Sequence, residues 1–423
     1  MLSLRLSQAL NYAAAVVFVS AVLTSSTLAQ TEKSIYSFQG GSDGSDLVIG
    51  VVSDSAGNLY GATNNGGTHN NGIIFELTPP AEGGLWTKTV LFNFPINLDY
   101  LGINSLAIDP AGNLYGTTLY GGKYRYGMVF QLALPSQPGG AWTFTELHDF
   151  SNGLVDGAGP IGLVVGQDGS LYGFTDQGGT YDSGTIFQLQ PPPEGKVWKE
   201  SVLYSFSSLG SPIGNPAFDN RGNLYGALFS GGIANCNLEQ CGSIFELAPP
   251  SSQGGAWTES LVYEFTGGSD GGQPQGSLTV DPSGNLYGVA FYGANIFKLS
   301  PGIHGGWIYS VLYTLPTQDY WRPNGALLLD GGSLFGTTFY GGNFGCGNGC
   351  GSVYKLSPPA QSGNPWTETD LHFFEVTGDG HNPFAGVIVG KDGLLYGTTE
   401  SGGLGDCSTS QSRGCGTVYS IIP

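Results

Sequence analysis

The chain has 423 residues, 72 of them Gly, with only 11% charged and 12% aromatic. At 40% hydrophobic it is too apolar to be disordered, and its Gly keeps no three-residue period of the collagen kind. With 13 Lys and Arg against 32 Asp and Glu, the net charge of -19 repels nucleic acid and anionic membranes and leaves cations, neutral polymers and proteins as partners.

Residues 1–29 read as a secretory signal peptide. Arg5 gives a positive start, Ala13 to Leu23 is apolar, and Thr27-Leu28-Ala29 offers small residues before a cut at Gln30. Ser20 and the run from Thr24 to Thr27 interrupt the apolar stretch too early for a membrane anchor. No later segment has the length and apolarity of a membrane span, so an exported protein without a span in its mature chain is expected.

From residue 30 onward one unit repeats. Gly-Asn-Leu-Tyr-Gly or a close variant has its aromatic at Tyr60, Tyr115, Tyr172, Tyr225, Tyr287, Phe335 and Tyr396. Each copy is followed by a Val-Phe-x-Leu string centred on Phe75, Phe130, Phe187, Phe245, Phe297, Tyr354 and Tyr419. A Leu-Tyr-x-Phe string ends at Phe94, Phe150, Phe206, Phe265, Leu315 and Phe374, each eight residues after a Trp. Its seventh copy, Ser34 to Phe38, stands alone at the other end of the chain. From Phe38 the intervals are 56, 56, 56, 59, 50 and 59 residues.

Helical spacing of Leu, Ala, Lys and Glu is missing after about residue 30, and each unit offers four short strands. Asp281-Pro282-Ser283-Gly284-Asn285 and its copies make strands one and two a hairpin, and Pro249-Pro250 and its copies end strand three. Alternation in strand four places Val202, Tyr204 and Phe206 on one face. Four strands make a propeller blade, so the fold expected over residues 30–423 is all-β: a single seven-bladed β-propeller of four-stranded antiparallel blades. Splitting one unit between the chain ends makes sense in a closed ring, with Ser34 to Phe38 completing the blade built by Phe384 to Ile422.

The Asp-x-x-Gly-Asn-Leu-Tyr-Gly-x-Thr, Gly-Gly, Gly-(Thr/Ser)-Val-Phe-x-Leu pattern over residues 33–422 resembles the GloVer-type (Gloeo_Verruco) tandem repeats of exported bacterial proteins. The resemblance implies a secreted bacterial propeller whose activity is not established, often with an anchoring segment. The last string here runs directly to Pro423, and an unanchored extracellular or periplasmic protein is expected.

All six Cys fall between strands two and three, in local pairs: Cys236 with Cys241, Cys346 with Cys350, and Cys407 with Cys415. In an exported chain these read as three disulfides. The blade-to-blade connections carry Asp43, Asp46, Asp99, Asp156, Asp270, Asp319 and Asp379. Carboxylates there would bind Ca²⁺ or act as an acid–base pair if they converge on a central channel, whereas Asp beside Gly ordinarily caps its own turn. His148 and His372 replace the strand-four Tyr and read as core or edge residues. Loop aromatics, among them Tyr124, Tyr126, Tyr181, Tyr320 and Trp321, suit sugar stacking as well as rim packing.

The function expected is a binding or scaffold module for an extracellular glycan or protein, acting as a monomer without a cofactor, Ca²⁺ being the one cation considered. The competing expectation is a carbohydrate-active hydrolase or lyase using two loop carboxylates at the channel mouth.

Overall fold

The computed structural model describes residues 32–423 apart from 82, 96–101, 138, 194–196, 208–209, 233–234, 237–238, 253, 317–322, 343–345, 362, 376–377 and 408–413. The signal peptide, Asp99, Asp319, Tyr320, Trp321 and the Cys236 side chain therefore lie outside the described residues.

Seven four-stranded antiparallel sheets form a ring of blades. Blade 1 runs Val52–Ser53, Leu59–Thr63, Ile73–Thr78 and Thr87–Asn93. Blade 2 runs Ile103–Ile108, Leu114–Thr118, Met128–Ala133 and Thr143–Asp149. Blade 3 runs Gly157–Val165, Leu171–Gly178, Thr185–Gln190 and Lys199–Ser205. Blade 4 is Pro212–Phe218, Leu224–Leu228, Ser243–Ala248 and Thr258–Glu264. Blade 5 is Gly272–Val280, Leu286–Tyr292, Asn295–Pro301 and Trp307–Thr314. Blade 6 is Pro323–Asp330, Ser333–Thr338, Ser352–Ser357 and Thr367–Phe373. Blade 7 takes Ile388–Val389, Leu395–Thr399 and Thr417–Ile421 from the C-terminus, and its outer strand, Lys33–Ser37, from the N-terminus. Lys33 faces Ser420 and Ser37 faces Thr417 in that antiparallel pair, so the two ends of the chain meet in one sheet and close the ring.

The repeated strings have separate physical jobs. In the first hairpin Asp54 Oδ1 accepts the backbone N–H groups of Ala56, Gly57 and Asn58, each at 2.9 Å, and Gly57 takes φ 95°. That φ is open to Gly at little steric cost. Asp54 Oδ2 accepts the Tyr60 hydroxyl at 3.0 Å, and the same Asp–Tyr bond recurs in blades 2 to 5 and 7. Five of the repeat's Trp residues pack edge-on against the Tyr of the preceding blade: Trp142 on Tyr60, Trp198 on Tyr115, Trp257 on Tyr172, Trp307 on Tyr225, and Trp86 on Tyr396 across the seam. Phe38, Phe94, Phe150 and Phe265 are fully buried between blades. Each such side chain contributes roughly 1.5–3 kcal/mol of burial free energy, and the core is accordingly divided among the junctions.

Strand four departs from simple alternation. Phe187 faces Val202 and Ile186 faces Tyr204, so Leu203 is an extra, bulged residue, and the register shifts at the same place in all seven blades. The bulge turns the equivalents of Leu203 inward and the equivalents of Val202 outward: Leu147 and Val262 are buried, Val90 and Leu261 exposed.

Two connections are closed by the Cys346–Cys350 and Cys407–Cys415 disulfides, and Cys241 is disulfide-bonded too. Loops this short give about 2–3 kcal/mol each. Disulfides point to a compartment outside the reducing cytoplasm. No helix among the described residues is long and apolar enough to cross a membrane.

Candidate functional site

The ring centre is narrow. Ser105 Oγ of blade 2 donates to Asn215 Oδ1 of blade 4 at 3.0 Å, reaching past the inner strand of blade 3. A Cβ on Gly214 would lie 2.5 Å from the carbonyl carbon of Gly276, so neighbouring inner strands meet backbone to backbone. Side-chain chemistry lies farther out, where blades join.

Each junction brings together three positions of the repeat: the residue two before the strand-four Phe, the loop that follows it, and the residue six before the corresponding Phe of the next blade. At the seam, Tyr36 donates to Asp43 at 2.7 Å and Lys88 of blade 1 reaches the same carboxylate at 2.5 Å. Between blades 1 and 2 the two positions are Phe92 and Phe144, stacked 4.3 Å apart. Tyr204 donates to Glu259 at 3.3 Å and Tyr313 to Glu368 at 3.0 Å. Tyr263 donates to Asp270 and stacks on Tyr309 at 4.4 Å.

Two junctions carry His. His148 Nε2 lies 3.1 Å from Asp156 Oδ1, with Glu200 of blade 3 beside them; His372 Nε2 lies 2.7 Å from Asp379 Oδ2, with Glu32 ahead of the blade 7 outer strand beside them. Asp156 is fixed by Ser151 N at 2.8 Å and Ser151 Oγ at 2.6 Å. Burial pushes the Glu200 carboxyl up to about 7, with Asp156 adding to the rise and His148 opposing it. Glu32 is likewise pushed up to about 7 by burial, with Asp379 adding and His372 opposing. Asp156 and Asp43 also lose hydration, yet hydrogen bonds from His148 and Ser151, and from Lys88 and Tyr36, hold both below the usual carboxylate range.

The sequence-predicted residues thus divide. Asp43, Asp156, Asp270 and Asp379 each sit in their own junction, while Asp46 accepts from Asn65 at 3.1 Å and is raised by burial. His148 and His372, read from the sequence as core or edge residues, are junction members bonded to Asp. Glu32 and Glu200 were not singled out; superposing the repeats on their strand-four Phe would have aligned them with Lys88.

Beside the His148 junction an open groove of about 590 Å³ is lined by Leu154, Val155, Thr180, Tyr181, Glu200 and Tyr204, among others. Leu154, Val155 and Tyr181 are 73%, 83% and 62% exposed. On the blade 2 loop between Thr118 and Met128, Tyr120, Tyr124 and Tyr126 are exposed as well.

Among solved structures, the chain resembles virginiamycin B lyase from Staphylococcus aureus with TM-score 0.54 and 12% identity, covering 93% of this chain and 100% of that one. A protein from Lactobacillus plantarum matches with TM-score 0.55 and 12% identity over 86% of this chain and 99% of that one. A putative 6-phosphogluconolactonase from Bacteroides uniformis matches with TM-score 0.53 and 16% identity over 86% and 98%. At these identities the likeness is one of fold. None of the curated proteins compared matches the sequence. A family model, by contrast, matches residues 11–238 and 222–423, and the chain belongs to the Gloeobacter/Verrucomicrobia repeat family.

Proposed function

We propose that the protein is an exported binding module that engages a neutral polymer, a carbohydrate chain, on the loops of blades 2 and 3. The observation that carries this reading is one groove lined by exposed Tyr181, Leu154 and Val155, with three more exposed rings, Tyr120, Tyr124 and Tyr126, on a loop of blade 2. Large apolar side chains clustered in the open mark a binding surface, and aromatic rings offer flat faces to sugar C–H groups. A net charge of -19 disfavours acidic polymers. Hydrolysis or lyase chemistry fits less well. The Asp156–Glu200 pair recurs between blades 6 and 7 as Asp379–Glu32, while Lys88, Phe144 and Tyr309 take the Glu position at three junctions and Glu259 and Glu368 hold it beside Tyr at the other two.

A glycan array probed with the mature protein tests the reading. Saturable binding to a neutral glycan, weakened at least tenfold in a Tyr124→Ala, Tyr126→Ala, Tyr181→Ala variant, is expected. No glycan binding, or equal binding by that variant, overturns it.

A further inference from the structure

We propose that His148, Asp156 and Glu200, and separately His372, Asp379 and Glu32, form two equivalent sites for a divalent transition ion of the zinc class, each tying one blade to the next. In each cluster the donor atoms of all three side chains lie within 4.8 Å of one another. Metal–ligand bonds of about 2.0–2.2 Å bring donors somewhat closer than that, which small side-chain rotations supply. One imidazole nitrogen with two carboxylates suits Zn²⁺, Co²⁺ or Mn²⁺, whereas Ca²⁺ takes oxygen donors throughout.

Two further observations point to a cation. Glu32 Oε1 and Glu200 Oε1 are both buried with no hydrogen-bond partner, an expensive state for an acceptor. The seam junction shows what the position takes when the chain provides its own charge: there the equivalent residue is Lys88, whose ammonium group lies on Asp43 and over the Phe38 ring. Four junctions have Glu in place of Lys. At two of them Tyr204 and Tyr313 are kept and donate to Glu259 and Glu368, whereas at the other two His148 and His372 replace the Tyr, so that an imidazole joins two carboxylates with no built-in cation. Both Asp residues are also held in place from behind, Asp156 by Ser151 and Asp379 by the Glu375 N–H at 3.0 Å. Such outer contacts orient metal ligands. The second site ties Glu32, next to the strand that closes the ring, to blade 6.

The full exported chain, stripped with a chelator and titrated with Zn²⁺ by calorimetry, tests the inference, with Co²⁺ absorption as a second readout. Two equivalents are expected in the wild type. One is expected in His148→Phe or His372→Phe, and none in the double variant. Phe is the residue blade 1 carries at this position, as Phe92, so folding is preserved, and far-ultraviolet circular dichroism verifies it. No saturable uptake, a single wild-type equivalent, uptake of Ca²⁺ in place of Zn²⁺, or unchanged stoichiometry in the folded double variant overturns the proposal.

Discussion

Gly61 lies opposite Phe75 in blade 1, and the ring of Phe75 covers the face where a side chain would stand: a Cβ on Gly61 would fall 2.5 Å from Phe75 Cζ. The same pairing joins Gly116 to Phe130 and Gly226 to Phe245. This is why the Leu-Tyr-Gly string never appears without the Val-Phe string that follows it. Gly61→Ala forces a fully buried ring out of its place. Overpacking of this kind costs about 1–3 kcal/mol, and a fall in thermal midpoint is expected. An unchanged midpoint would show that the ring has room to move.

Phe38 follows the N-terminal strand and makes edge contacts with Tyr36 of its own blade and Phe75 of blade 1. Phe38→Ala removes a fully buried side chain from the junction between blade 7 and blade 1, at a cost of about 3–5 kcal/mol. Because this strand holds the ring shut, early protease cleavage in blade 7 is expected in the variant. Loss of stability without cleavage there would mean that the strand stays paired without its anchor.

The hairpin supplies a third test. Asp109 Oδ1 accepts backbone N–H groups from Ala111 and Asn113 and Oδ2 accepts the Tyr115 hydroxyl at 3.1 Å. Tyr115→Phe loses two bonds, the one donated to Asp109 and the one accepted from Gln131 at 3.0 Å, of about 0.5–1.5 kcal/mol each; blade 6 does without the hydroxyl, Phe335 following the shorter turn at Asp330 and Ser333. Asp109→Ala leaves several donors without their acceptor and is expected to cost more than Tyr115→Phe in urea unfolding. Equal losses would remove the turn-bracing role assigned to the carboxylate.

The frame of the molecule was legible because each repeated string answers to a local demand: a positive φ at Gly57, a ring over Gly61, a Trp on the Tyr of the blade before. Ring closure could be read as well, since Ser34 to Phe38 matches Val202 to Phe206. The junction chemistry could not be read the same way. His148 and Glu200 are separated by a whole unit, and whether they touch depends on the twist between blades, which no short string encodes. The Leu203 bulge was hidden for a related reason. An alternating pattern looks regular in sequence even where the strand carries an unpaired residue.

Asp176, on the second strand of blade 3, carries the pH prediction. Its Oδ1 is buried without a partner, and burial raises its carboxyl to about 6, with its own backbone N–H opposing and Asp182 adding to the rise. The folded state therefore binds the proton more tightly than the unfolded chain, whose Asp titrates near 3.9. Stability from this group is present below about pH 4 and is lost as pH rises through the folded value near 6. After discounting for solvent screening, the loss is on the order of 1–2 kcal/mol. Asn stands in for the protonated acid, so Asp176→Asn and wild type are expected to unfold alike at pH 4. The variant should become progressively more stable than wild type toward pH 7. A difference that stays constant across that range would place the proton elsewhere.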